Sequence, residues 1–166
     1  MAKRTNTLIV TTVEIAGFFE SKNLRTHGMQ MGGKHVFDFG EIKMTQAIHG
    51  LSYEIEGKLT KFGLAAGIIF HSDGKVIYHA GDTALFSDMK LIGQYRPLDV
   101  AFLTIGDNFT MGPEDAALAA NYLKAKKVVP IHYNTFPLIE QNPIAFCTSL
   151  REKQGEYLKV GEWLEI

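Results

Sequence analysis

Two imidazoles and a carboxylate stand where they can do chemistry together. His49 closes the apolar run at 42–48 and precedes Gly50, Asp82 follows the run at 75–80 through Gly81, and His132 follows the run Lys127–Ile131. In a layered α/β fold such strand ends converge on one cleft. Two histidines with one carboxylate make a donor set for a catalytic zinc ion that keeps a position open for water. The separations of 33 and 50 residues carry no local metal signature, so convergence is an expectation about the fold. By residue type alone, each histidine is more often an ordinary core or surface side chain than a ligand, so position must decide.

The elements that must position these groups alternate in type. A β-branched run at 7–12 leads into 13–22, where Ile15, Phe18 and Phe19 share a helical face. Period-two segments at 36–39 and 42–48, broken at Gly40 and Glu41, predict a hairpin. Apolar runs at 63–71 and 75–80 flank Ser72-Asp73-Gly74, whose Asp-Gly pair supplies the positive φ of a tight hairpin turn. Beyond it, the pattern predicts helices at 83–92, 113–126 and 143–153 and strands at 99–105 and 127–131. A closing hairpin at 156–166 would add edge strands. The helix from Pro113 is the best signalled, with Glu114 and Asp115 at its positive end and Lys124, Lys126 and Lys127 at the other. Antiparallel hairpins followed by β/α units argue for sheets covered by helices in a single domain over 1–166.

Other features are read as structural. Gly28-Met29-Gln30-Met31-Gly32-Gly33-Lys34 matches most of a phosphate loop, but His35 replaces the Ser or Thr and an extended segment follows where a helix should open. It is a glycine-rich turn. His35 and His71 lie beside a strand start and a hairpin turn, and His27 in a polar loop. Cys147, near Phe146 and Leu150 in a helical pattern, reads as a small buried residue. His79 either points across its hairpin toward the site or faces a sheet layer. Asp107, Thr110 and Met111 occupy the loop before the Pro113 helix, where substrate-contacting groups often sit, and also fit a plain surface loop.

Composition narrows the partners. With 17 Lys plus Arg against 18 Asp plus Glu, the net charge of −1 gives no global field to attract nucleic acid or an anionic membrane. One cysteine excludes an internal disulfide and suits a reducing, cytoplasmic setting. No apolar stretch reaches the length of a membrane span.

Ala80-Gly81-Asp82-Thr83 after an apolar strand, Met111-Gly112-Pro113-Glu114-Asp115-Ala116 opening a helix, and Pro130-Ile131-His132-Tyr133-Asn134-Thr135 together resemble the metallo-β-lactamase superfamily. Thr26-His27-Gly28-Met29 with Gly32-Gly33, and Ala47-Ile48-His49-Gly50, fit its little-characterised family of metal-dependent hydrolases in the same order. The resemblance implies an α/β fold of the αββα sandwich type. It implies that His49 ligates one divalent ion, His132 another and Asp82 both, the metal being zinc. It also implies a metal-held hydroxide attacking an ester, amide or phosphodiester of a small-molecule substrate. His79, Thr83, Asp107, Thr110 and Met111 are then candidates for substrate contact or support of the ligands.

The family's His-x-His-x-Asp-His motif does not occur in this sequence. Ala2-Lys3-Arg4-Thr5-Asn6 reads as the last turn of a helix with Asn6 as left-handed cap. The expectation is therefore a truncated sandwich lacking its first strands, weak in metal binding and prone to self-association through exposed edges. Its alternatives are a non-catalytic remnant or binding fragment, and a site completed by another chain.

Overall fold

Asp73 and Gly74 both adopt positive φ, 50° and 74°, so the pair forms the two-residue turn whose twist matches its strands. Ser72 thereby pairs with Lys75 in an antiparallel hairpin. This hairpin is the centre of the molecule in a computed structural model that describes residues 1–55 and 57–166. Its strands are β7 (Ala66–Ser72) and β8 (Lys75–His79). Earlier come α1 (Ala2–Thr5), β1 (Ile9–Thr12), α2 (Val13–Glu20), β2 (Thr26–Met29), β3 (Lys34–Phe37), β4 (Gly40–Gln46), β5 (Ser52–Ile55) and β6 (Lys58–Lys61). Later come α3 (Met89–Tyr95), β9 (Val100–Thr104), α4 (Pro113–Leu123), β10 (Lys127–Ile131) and α5 (Pro143–Ser149).

A six-stranded sheet runs in the order β10-β9-β8-β7-β4-β3. Its β8, β9 and β10 are parallel and the rest antiparallel. Strand alternation divides its residues between two layers. On one face Ile69, Tyr78, Ala101 and Leu103 pack with Met89 and Ile92 of α3, Ala116, Ala119 and Ala120 of α4, and Phe146 of α5. On the other, Met44 and Ile42, with Ile68 and Phe70, pack against Met29 and Val10 of the parallel β1–β2 sheet, which α2 flanks. The result is the α/β sandwich expected from the hairpin-then-β/α pattern.

Several elements differ from the sequence reading. The helix expected at 83–92 begins at Met89, because residues 83–84 spend their polar groups on tertiary hydrogen bonds. The helix expected at 143–153 stops at Ser149. No strand forms in 156–166. The chain touches the edge strand β10 through a single parallel bridge, Val128 to Gly155, just before this segment, and then departs, leaving Val160 and Trp163 exposed. His27 lies in β2, paired through Val10, with its ring 4.3 Å from that of His35. The β5–β6 hairpin was not anticipated. The glycine-rich turn leads into β3 as expected, Gly32 at φ 82°. Asn6 caps α1 in the left-handed region. Among the described residues no helix is long and apolar enough to cross a membrane.

Candidate metal centre

The chain places its donors by turning sharply after each strand. At the end of β8, Gly81 adopts φ 67°, and a Cβ there would lie 2.4 Å from the Ala66 carbonyl oxygen. Only glycine makes that turn. It sends Asp82 outward, with half of its side chain exposed, and Thr83 inward to full burial. At the end of β10, His132 itself adopts φ 57°, a conformation that costs a side-chain-bearing residue on the order of 1 kcal/mol or more. Its ring packs on Gly106, where a Cβ would meet the His132 carbonyl oxygen at 2.4 Å and Nδ1 at 3.0 Å.

These turns bring His132 Nε2 to 3.7 Å from Asp82 Oδ2. That is too long for a hydrogen bond. Two donors on one tetrahedral zinc ion, with bonds of about 2.0–2.1 Å, stand about 3.4 Å apart, so the pair is spaced close to co-ligation. His132 Nδ1 is buried without a hydrogen-bond partner, so packing holds the ring and no hydrogen bond at Nδ1 fixes its tautomer. His49 lies on the wall of a cleft of about 460 Å³ that Asp82 also lines. Its Nδ1 is 2.6 Å from the Gly50 carbonyl oxygen. A carbonyl oxygen only accepts, so Nδ1 carries a proton in that contact, and the neutral tautomer it selects is the one that presents Nε2 to a metal. Among the described residues no group of three His, Cys, Asp or Glu stands close enough together to hold an ion. The expected convergence of all three is thus not met: Asp82 and His132 stand as a facing pair of possible donors, one short of the three protein ligands of a catalytic zinc, and His49 shares a cleft with Asp82 without joining them in one group.

The remaining candidates separate. His79 stacks on Phe102, its Nδ1 accepting the Gly81 N–H at 3.0 Å. Desolvation lowers its tendency to protonate, against the opposing charge of Asp82. It thus braces the Gly81 turn. Thr83 and Met111 are buried and cannot touch a substrate. Asp107, at φ 67°, lies over the start of α4, its Cγ 3.1 Å from where a Gly112 Cβ would be. Thr110 Oγ1 lies 3.4 Å from the Met111 carbonyl oxygen, within the same loop. Two features went unread in the sequence. Gly106 makes room for His132, and its signal is a glycine immediately after the strand run at 99–105. Phe109 and Phe136, both exposed, meet at 6.0 Å across the loops that follow β9 and β10.

Comparison with known proteins shows the family. Residues 4–133 match the family described as Beta-lactamase superfamily domain. The chain is 55% identical over 167 residues to a UPF0173 metal-dependent hydrolase of Anoxybacillus flavithermus, and 56% identical over 168 residues to one of Bacillus thuringiensis. In each case the match covers 100% of this chain and 74% of the relative. Among solved structures it is similar to Igni18, a metallo hydrolase of the hyperthermophilic archaeon Ignicoccus hospitalis. That match has a TM-score of 0.86 at 34% identity, over 96% of this chain and 69% of that one. With an αββα framework and this degree of identity, the chain belongs to the UPF0173 metal-dependent hydrolases of the β-lactamase superfamily.

Proposed function

We propose that the cleft shared by His49 and Asp82 is part of a hydrolytic metal site, in which His49, Asp82 and His132 would be the residues that hold divalent metal. The observation that carries this reading is the 3.7 Å approach of His132 Nε2 to Asp82 Oδ2 at the end of two glycine-dependent turns. Mixed imidazole and carboxylate donors suit zinc. When bound, such an ion acidifies a water molecule and stabilises the negative charge that develops on a carbonyl or phosphoryl oxygen. The chain's own residues supply the setting. Val10, Ile15, Met44 and Ile68 form an apolar wall of the cleft, which receives the non-reacting part of a small ester, amide or phosphodiester. Asp82, half exposed, lies within reach of that substrate.

The test is turnover of p-nitrophenyl acetate and bis(p-nitrophenyl) phosphate at saturating zinc or manganese. Metal-dependent hydrolysis that is lost in Asp82→Asn and His132→Ala is expected. Turnover unaffected by either substitution would overturn the assignment. A second reading, a metal-binding fragment without turnover, is supported by the lack of a three-donor group among the described residues. Bound metal that both substitutions remove, with no hydrolysis of either substrate, would favour it.

A further inference from the structure

Thr83 has no exposed surface, and it is tied to two other segments at once. Its Oγ1 accepts a hydrogen bond from the Ile48 N–H at 2.9 Å and donates to the Ala84 carbonyl oxygen at 2.8 Å. The Ala84 N–H donates to the Ile48 carbonyl oxygen at 3.0 Å. Both backbone polar groups of Ile48 are thus held by the dipeptide that follows Asp82. The Thr83 hydroxyl stands in for the backbone carbonyl that a strand ladder would have offered. On its other side, the Thr83 carbonyl oxygen accepts the Met111 N–H at 2.9 Å, and the Met111 carbonyl oxygen accepts the Asp107 N–H at 3.0 Å.

The geometry points to Thr83 as a positioning residue that fixes His49 relative to Asp82. Strand β4 ends at Gln46 and His49 lies beyond it, where no ladder constrains the backbone. The pair of hydrogen bonds at Ile48 is what locates the chain immediately before His49. Asp82 is the residue immediately before Thr83, so one side chain sets both ends of the separation between two proposed ligands. A hydroxyl is required because it accepts and donates at the same point, which neither a methyl nor a carboxylate does. The requirement is set at the Thr83 end, where the hydroxyl is fully buried and a methyl in its place would leave both of its hydrogen bonds unmade. The inference rests on His49 and Asp82 being ligands only for its consequence on metal binding. The strut itself stands on the hydrogen bonds.

Thr83→Val keeps the shape and removes the hydroxyl, and Thr83→Ser keeps the hydroxyl. The 166-residue chain is followed by native-state amide exchange, by the His49 imidazole resonances, and by zinc competition against a chromophoric chelator. In Thr83→Val the Ile48 amide is expected to exchange about fivefold faster, the scale of one hydrogen bond. The His49 resonances move, zinc binding weakens, and the Ala101 and Leu103 amides of the core stay protected. Thr83→Ser restores all of these. Unchanged Ile48 exchange and His49 resonances in Thr83→Val, or no restoration by Thr83→Ser, would overturn the proposal. The wild-type chain supplies a measurement independent of how the variants fold: an Ile48 amide exchanging at the rate of an unstructured chain also overturns it. If Ile48 is protected and zinc binding is insensitive to His49→Ala, the strut holds and the ligand assignment fails. If Ile48 is unprotected and zinc is bound at His49, the strut fails and the assignment holds.

Discussion

Replacing Gly106 by alanine tests how tightly the fold constrains His132. Gly106 is buried and its φ lies outside the left-handed region, so alanine meets no backbone penalty there. The conflict is one of space. The added Cβ would lie 2.4 Å from the His132 carbonyl oxygen, 3.0 Å from Nδ1 and 3.2 Å from the Ile139 Cβ. The nearest of these is backbone, so relief requires the segment after β10 to move. Overpacking of this kind costs about 1–3 kcal/mol, which lowers the melting temperature of a chain of this size by about 2–4 °C for each kcal/mol. Gly93→Ala is the control. Its Cβ would lie 2.5 Å from the Tyr122 carbonyl oxygen and 2.6 Å from that of Leu123, a comparable clash where α3 meets α4. Both variants are expected to melt earlier in calorimetry, but only Gly106→Ala shifts the His132 imidazole resonances and weakens zinc binding. Equal effects of the two variants on His132, or a Gly106→Ala protein with wild-type melting and resonances, would refute the claim that Gly106 seats this ligand.

Two further outcomes concern the framework. Asp99 is held below its ordinary value of 3.8, first by the hydrogen bond from Lys126, at 2.8 Å, and then by the Val76 N–H, at 2.8 Å. A carboxyl with a depressed folded value stabilises the fold above its unfolded value and loses that contribution as pH falls through the folded one. Asp99→Asn should therefore flatten the acid limb of the stability–pH profile below about pH 4, and an unchanged limb in denaturant titrations would contradict this. The Tyr78 hydroxyl, which burial pushes up to about 12, faces Thr45 without a well-formed hydrogen bond. Tyr78→Phe should leave unfolding free energy within about 1 kcal/mol of wild type, and a loss of about 3 kcal/mol or more in urea titration would show that the pair is a strong bond.

Local chemistry explains which parts of the fold were legible in the sequence. The Asp73-Gly74 turn and the helix from Pro113 were readable because their signals lie within a few residues of the feature they specify. Lys124 then ends that helix at φ 54°. The helix expected from residue 83 failed for the opposite reason. Leu85, Phe86, Met89 and Ile92 have helical spacing, but the Thr83 hydroxyl and the Ala84 amide are committed to Ile48, 35 positions away for the former, and a window of local sequence does not contain that partner. Strand β2 is likewise a tertiary product: Thr26-His27-Gly28 has little apolar character, and its pairing with Ile9, Val10 and Thr11 makes it a strand. At the site, residue types were visible and depth was not. Thr83 and Met111 look like loop residues available to a substrate, whereas the packing buries both. Gly106 carries no chemistry of its own and acquires its role only when β9 and β10 lie side by side.

The most direct test of the ligand assignment is zinc binding by equilibrium titration of the 166-residue chain and of its Asp82→Asn, His132→Ala and His49→Ala variants. With a facing pair of donors and no three-donor group among the described residues, the wild-type chain is expected to bind zinc weakly and to release it to a chelator. Asp82→Asn and His132→Ala should abolish binding, and His49→Ala should reduce it. Zinc binding of undiminished strength in both Asp82→Asn and His132→Ala would contradict the assignment at its root, whatever the hydrolytic activity of the chain.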